Sequence, residues 1–305
     1  MRIVFLGTAG SLPTTKRNVT AVAVQVGSGV LLFDCGEGTQ RQFMLSTASY
    51  MKVRSVFVSH LHGDHFLGLP ALIQSMNFSG RERELSIYGP RGMVETVDSL
   101  LHLGYFEPHF AIATEELGDG DTVRCGNVII RAVATEHTVP SLGYVLEEDP
   151  RPGKFDPARA KELGVHPGPA FGRLQEGHPV VAAGKTVTPD MVMGPKRRGR
   201  KVAISGDTRP SSNFAFAANG ADVLIHEATV ASRLISDARE YGHTTAAEAA
   251  ELALEAHAKR LYLYHLSSRY EDPEELLREA RPIFPETVIA EDLMEVQVTV
   301  PGDGA

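Results

Sequence analysis

The chain has 305 residues, 43% of them apolar and 22% charged, which supplies a sizeable core and excludes a disordered polar chain. A formal charge of −8 argues against nucleic-acid binding by the whole surface and leaves room for a local basic patch. Two cysteines, Cys35 and Cys125, cannot form a disulfide framework and suit a reducing compartment, so the expected location is cytoplasmic.

Taken in order, Arg2 to Leu6 reads as a first strand and not as a secretory signal. No uninterrupted apolar run reaches membrane-spanning length. Gly7-Thr8-Ala9-Gly10-Ser11 is a small-residue turn that could bring backbone N–H groups to an anion, although a plain turn has the same composition. Thr20 to Val26 and Val30 to Phe33 predict a hairpin around Gly27-Ser28-Gly29. Asp34-Cys35-Gly36-Glu37-Gly38-Thr39 then leads to a helix near Gln40 to Leu45. Asp34 is either a partner for a metal-bound histidine or a turn and cap residue.

The stretch VRSVFVSHLHGDHFLGL, residues 53 to 69, carries the densest chemistry. Its apolar, β-branched start predicts a strand, and His60, His62, Asp64 and His65 follow at the strand's carboxyl end. Neutral imidazole and carboxylate are ordinary ligands for zinc and other divalent metals. Without a metal, these groups would leave many polar atoms to satisfy in one small space. Pro70 to Met76 continues as a helix, Glu84 to Tyr88 as a strand and Gly92 to Leu103 as a helix. Val128 to Ala134 is a strand with His137 just beyond it, and Leu142 to Leu146 is the next strand.

Residues 150 to 200 change character, with many prolines and glycines and little periodicity. They read as an inserted arm with one short helix near Pro157 to Leu163. The arm ends in Lys196-Arg197-Arg198-Gly199-Arg200-Lys201, either a solvated face or a phosphate contact; the acidic background and the nearby metal motif favour phosphate. Val202 to Ser205 is a strand ending at Asp207, and Asp222 to Ile225 leads to His226-Glu227-Ala228-Thr229. Gly242-His243-Thr244-Thr245 starts an alanine-rich helix reaching about Lys259, with Thr245 and Glu248 spaced as a capping box. Arg260 to Tyr264 is a strand with His265 at its end, and Glu274 to Arg281 is a helix. Residues 287 to 300 form a mixed strand region, and Pro301 to Ala305 a loose tail.

Predicted strand ends thus carry His60, His62, Asp64, His65, His137, Asp207 and His265. This donor supply suits two metal ions better than one, with Asp207 as the natural bridge and a water activated between them. Asp64 can both bind metal and orient that water. Read alone, His243 is a surface or helix-cap histidine and Glu227 an ordinary charged residue.

The His60 to His65 loop, with His137, Asp207 and His265, resembles the metallo-β-lactamase superfamily. Within it, the chain resembles the ribonuclease Z family of tRNA 3′-processing endonucleases over nearly its whole length. The matching segments are Gly7-Thr8-Ala9-Gly10 with Pro13, Asp34 to Gln40, the ligand loop, Gly206-Asp207-Thr208-Arg209-Pro210, His226 to Thr229, Gly242 to Thr245, and His265 with Ser268-Arg269-Tyr270. The resemblance implies an α+β fold, the four-layer αββα sandwich, as one domain spanning 1–305 with a flexible RNA-binding arm inserted at about 150–200. It implies two Zn(2+) per subunit, with Mn(2+) or another divalent ion as a substitute. His60, His62 and His137 would hold one ion and Asp64, His65 and His265 the other, with Asp207 bridging. Asp64 would be the general base and His243 the general acid, oriented by Glu227. The implied partners are precursor tRNA and a second subunit, since the arm, around Gly168-Pro169-Ala170-Phe171-Gly172, would reach the tRNA bound by the other half of a homodimer. Arg269 and Lys196 to Lys201 are candidate phosphate contacts, whereas Leu266 and Tyr270 read as packing residues. Two other readings stay open: a small-substrate phosphodiesterase, thioesterase or lactonase of the same superfamily, and a non-catalytic RNA-binding domain. The complete ligand set speaks against the latter.

Overall fold

The structure is a computed structural model and describes residues 1–300; the expected tail at 301–305 lies outside the described residues. The chain divides into two compact units, one of Met1–Glu147 with Arg200–Thr299 and a smaller one built on Glu148–Gly199. The division falls where the composition changes.

The larger unit is a four-layer αββα sandwich. Its first seven-stranded sheet has the order Glu295–Gln297, Arg2–Gly7, Ala21–Val26, Gly29–Phe33, Val53–Phe57, Leu85–Gly89, Ile112–Glu116. The second, also seven-stranded, has the order Thr287–Ile289, Leu261–Tyr264, Val223–Glu227, Lys201–Ile204, Ser141–Glu148, Val128–Thr135, Thr122–Cys125. Ile3, Phe5, Phe33, Phe57, Tyr144, Ile204, Ile225 and Tyr264 fill the space between the sheets. Strand periodicity explains why a second apolar set points outward from each sheet. Val4, Leu32 and Val56 meet the helix Leu69–Phe78 through Leu72, Ile73 and Met76. On the other side, Ala203, Leu224 and Leu263 meet the helix Ala246–Glu255.

That helix presents Ala246, Ala249, Ala250 and Ala253 to the core, small residues at helical spacing that let it lie close to the sheet. Thr245 and Glu248 form the expected capping box. The helix stops earlier than the sequence suggested. His257 takes a left-handed conformation, φ 47°, and the Ala258 N–H donates to Ala253 O at 3.0 Å, the Schellman closure.

Most expected strands are present within a residue or two. Val223–Glu227 runs longer than predicted and takes in His226 and Glu227, because it pairs in parallel with Leu261–Tyr264 along its length. Ala9–Gly10, expected as part of a turn, pairs in parallel with Leu266–Ser267.

The smaller unit holds more structure than the expected single helix. Helices Pro157–Glu162 and Pro169–Gln175 and a hairpin of Val180–Ala182 with Lys185–Val187 enclose Ala160, Val165, Leu174, Val187 and Val192. Phe155 and Phe171 meet at 4.8 Å. Each element is shorter than the window in which periodicity becomes visible. Part of the cationic run is structural: Arg197 pairs backbone to backbone with Arg151, at 2.8 and 2.9 Å. Beyond it, Lys201 belongs to the larger unit's strand and contacts Glu147 at 2.9 Å. Among the described residues no helix is long and apolar enough to cross a membrane.

Candidate active site

Parallel strands of both sheets end on one side of the sandwich, and the chemistry-bearing side chains sit in the loops that leave them. Val53–Phe57 leads into His60, His62, Asp64 and His65; Lys201–Ile204 into Asp207; Leu261–Tyr264 into His265. His137 follows the antiparallel strand Val128–Thr135. Two of the site's residues, Asp34 at φ 56° and His265 at φ 55°, take the left-handed conformation that side chains rarely adopt. Such strain costs on the order of 1 kcal/mol or more per residue and persists where the surroundings over-determine it. Gly10 is one surrounding reason: a Cβ there would lie 2.7 Å from the His265 ring.

All seven sequence-predicted ligands come together. His60, His62 and His137 form one donor group, Asp64, His65 and His265 another, and Asp207 groups with His60 and His65 and, separately, with His243 and His265. His62 Nδ1 lies 2.9 Å from His60 Nε2 and 3.2 Å from His137 Nε2. Asp207 Oδ2 lies 3.1 Å from His265 Nε2, 3.4 Å from His65 Nε2 and 3.8 Å from His60 Nε2.

Hydrogen bonds on the far side of each ring fix which nitrogen faces the cluster. His65 Nδ1–H donates to Asp34 Oδ2 at 2.9 Å, and Asp34 Oδ1 accepts the Ser59 N–H at 2.7 Å. Asp34 is therefore a ring anchor and not only a turn residue. His137 Nδ1–H donates to Gly242 O at 2.8 Å, and His265 Nδ1–H to Thr229 Oγ1 at 2.9 Å. His60 Nδ1–H reaches Ser59 Oγ at 3.1 Å. Asp64 Oδ2 accepts the Ser11 N–H at 2.8 Å, so the anion served by the small-residue turn is this carboxylate.

The donors fit a metal. His65 Nε2 and Asp207 Oδ1 are buried with no hydrogen-bond partner among the described residues, an arrangement that is costly unless a cation completes it. Burial first, and then neighbouring imidazoles, holds the His60 pKa well below the usual histidine value against the pull of Asp207. Burial likewise lowers His62 and His137, so all three present lone pairs at neutral pH. At His65 burial opposes the charge, but Asp207 and Asp34 outweigh it and raise the pKa well above the usual range. The carboxylates thus favour positive charge at that point. Burial opposes ionisation of Asp207 too, yet the surrounding imidazoles hold its pKa well below the usual range.

His243 and Glu227 stand beside the cluster. His243 Nδ1–H donates to Glu227 Oε1 at 2.9 Å, which turns Nε2 away from the carboxylate. Burial opposes its charge, but Glu227 and then Asp207 outweigh this and raise its pKa to about 9. Glu227 is held by the Thr208 N–H at 3.0 Å and by the Thr229 hydroxyl at 2.7 Å. Thr229 thereby links His265 to Glu227, a role the sequence did not reveal although the residue stood within a noted motif. Ser59, adjacent to the ligand loop, was likewise missed; Ser11 lay in the turn expected to offer N–H groups to an anion, but only the fold aims it at Asp64. His226 points to the opposite face of its strand, with Nδ1–H on Glu227 O at 2.8 Å, and does not join the cluster.

A cleft of about 680 Å3 opens on His62, His137 and His243, walled by Tyr241, Ser267 and Arg269. Arg269 Nε–H donates to Ser267 Oγ at 3.2 Å, and its guanidinium lies 3.7 Å from Asp237.

Several known proteins resemble this chain. A family model described as anti-Pycsar protein Apyc1 matches residues 1–149, which include His60 to His65 and His137 but not Asp207, Glu227, His243 or His265. Ribonuclease Z of Methanosarcina mazei is 50% identical over 299 residues, covering 98% of each chain. Ribonuclease Z of Archaeoglobus fulgidus is 46% identical over 301 residues, again 98% of each. The chain belongs to the ribonuclease Z family. Among solved structures, the short form of human tRNase Z matches with a TM-score of 0.70 and 27% identity, over 98% of this chain and 100% of that one. The fold is the metallo-β-lactamase fold of ribonuclease Z, and its His/Asp cluster is consistent with a metal-binding site.

The Asp34 anchor gives a first test. Asp34→Asn removes the charge that orients His65, and we expect metal affinity to fall about 10- to 100-fold in equilibrium titration. Unchanged affinity would contradict the anchoring role.

Proposed function

We propose that this chain removes the 3′ trailer of precursor tRNA by hydrolysing one phosphodiester, leaving a tRNA 3′-OH and a 5′-phosphorylated trailer. The observation that carries this reading is one cleft joining the seven-donor cluster to the Glu227-oriented His243. The donor chemistry suits two zinc ions, one held by His60, His62 and His137, the other by Asp64, His65 and His265, with Asp207 shared; manganese or another divalent ion would be accepted by the same atoms. When bound, the ions supply a water of lowered pKa and neutralise charge on the phosphoryl oxygens.

The chain's own groups do the rest. Asp64, fixed by the Ser11 N–H, orients the attacking water and takes its proton as general base. His243 keeps Nδ1–H on Glu227, so its Nε2–H is the proton offered to the leaving 3′-oxygen. Thr229 and the Thr208 N–H hold Glu227 in place for that purpose. Arg269, at the cleft wall, is a phosphate contact of this reading.

The smaller unit is the RNA-binding arm of the same reading, gripping tRNA held by the other subunit of a homodimer. Its composition supports this: Glu148–Gly199 carries nine Lys and Arg against six Asp and Glu in a chain that is acidic as a whole. Both cysteines are free, which suits the cytoplasmic location of such an enzyme.

The primary test maps the product ends of a 3′-extended precursor tRNA with the zinc- or manganese-loaded protein. We expect one cut near the discriminator, reduced at least a hundredfold by Asp64→Ala and by His243→Ala in protein whose folding and metal content are checked. No cut, with turnover of a simple phosphodiester or thioester, would move the chain to a small-substrate hydrolase.

The arm has its own test. Removing only 160–195 would cut through the small core, so the clean variant replaces 149–198 by a short Gly-Ser linker. A linker can span the gap, because Gly199 packs against the Glu148 backbone. We expect tRNA cleavage to fall at least tenfold more than turnover of bis(p-nitrophenyl) phosphate, since remote contacts stabilise the transition state of the large substrate alone. Equal losses would contradict the arm's role.

A further inference from the structure

The far end of the sandwich carries a second cleft that the metal site does not use. Along the inner face of the first sheet, Phe33, Phe57 and Tyr88 lie side by side in register. Their rings stack at 5.2 Å and 5.0 Å, with Tyr144 set edge-on to Phe57 at 5.4 Å. This row closes the interior toward the metal loops. Two residues earlier on the same strands the register row is Leu31, Ser55 and Ser86. Where a sandwich interior would ordinarily place large apolar side chains, two of these three are small hydroxyls. A cleft of about 320 Å3 remains there, bounded on the other side by Arg124, Cys125 and Gly126 of the second sheet's edge hairpin. Ser55 is 5% exposed, and its hydroxyl lies 3.8 Å from Cys125 Sγ, a weak partner.

The lining is strongly cationic in an acidic protein. Lys52, Arg54, Arg81, Arg83 and Arg124 surround the cleft, with Glu84 as its one acidic member. Arg54 is placed by a bulge: the pairing steps from Val30 with Val53 to Leu31 with Ser55, leaving Arg54 as the extra residue. Its guanidinium donates to Ser28 Oγ at 3.1 Å. Buried Arg81 organises the turn that carries Arg83, donating to Arg83 O at 2.8 Å and Glu84 O at 2.7 Å while lying over the Phe110 ring at 5.3 Å. Among the described residues Lys52, Arg54 and Arg83 form no ion pair. Such a concentration of like charge around a concavity is a standing attraction for an anion.

We infer that this cleft binds a nucleotide phosphate, the phosphate held by Arg54, Arg83, Arg124 and Lys52, and the base lying against Leu31, Met51 and Tyr88. The Ser55 and Ser86 hydroxyls offer polar partners at the inner end. The volume suits a ligand of about mononucleotide size. The cleft lacks the His/Asp cluster that supplies the chemistry elsewhere, so the ligand is bound and not turned over. The strand Val53–Phe57 separates it from the metal loop by roughly 17 Å at about 3.3 Å per residue. The same chemistry has two sources, a free mononucleotide or the 5′-phosphorylated end of an RNA strand.

Calorimetric titration of the metal-loaded protein with AMP, adenosine, inorganic phosphate and a 5′-phosphorylated triribonucleotide tests this. We expect AMP or the triribonucleotide to bind at least tenfold tighter than adenosine and phosphate. The double variant Arg54→Ala, Arg83→Ala should weaken that binding at least tenfold, as should Ser55→Leu, which fills the cleft, with RNA cleavage unchanged in the double variant. Binding by AMP alone would assign a free nucleotide, and binding by the triribonucleotide alone an RNA end. Affinity retained in the double variant would put the ligand at the metal cluster and overturn the inference. Adenosine or phosphate binding as tightly as the nucleotides would overturn it as well.

Discussion

A single buried carboxylate, Asp207, lies among imidazoles drawn from separate loops, and the arrangement of those loops depends on it. It is 1% exposed, and its Oδ2 sits within 4 Å of ring nitrogens of His60, His65, His243 and His265. Burying such a charge is costly unless positive charge is held against it. The imidazoles partly meet that need, and Oδ1 and His65 Nε2, both without a hydrogen-bond partner among the described residues, are where a cation would complete it. The strained backbone at Asp34 and His265 follows from the same convergence, because chains from both sheets must turn sharply to bring their donors to one point.

Around this centre the rings are held from behind, each by a different kind of group. A carboxylate holds His65, a backbone carbonyl holds His137, and hydroxyls hold His60 and His265. The Thr229 hydroxyl serves two masters, accepting from His265 and donating to Glu227, so the His265 and His243 sides of the site share one support. A change at Glu227 therefore acts on His243 directly and on His265 through Thr229.

Much of this was legible from residue patterns. The ligand loop could be read because four donors fall within six positions after an apolar run, and His137, Asp207 and His265 because each follows a strand. His243 and Glu227 have no such local signature; their pairing spans sixteen residues and exists only once Val223–Glu227 pairs with its neighbour. Ser59 and Thr229 were invisible for the same reason, since a hydroxyl in a loop acquires a role from its direction; the turn ending at Ser11 could be read as an N–H donor to an anion, but not that the anion is Asp64. The 150–200 segment was recognised as an insertion by composition, yet its small core was not, because helices of six and seven residues leave too few periods to read. The bulge at Arg54 and the inward serines of the far cleft also depend on register, which one sequence does not display.

The account rests most heavily on two metal ions joined through Asp207. Diffraction from crystals of the zinc-loaded protein, recorded at the zinc edge, tests it most directly. The account predicts two anomalous peaks about 3.5–4 Å apart, one among His60, His62 and His137 and the other among Asp64, His65 and His265, with an Asp207 oxygen contacting both. A single peak, or Asp207 turned away from two ions, would contradict it.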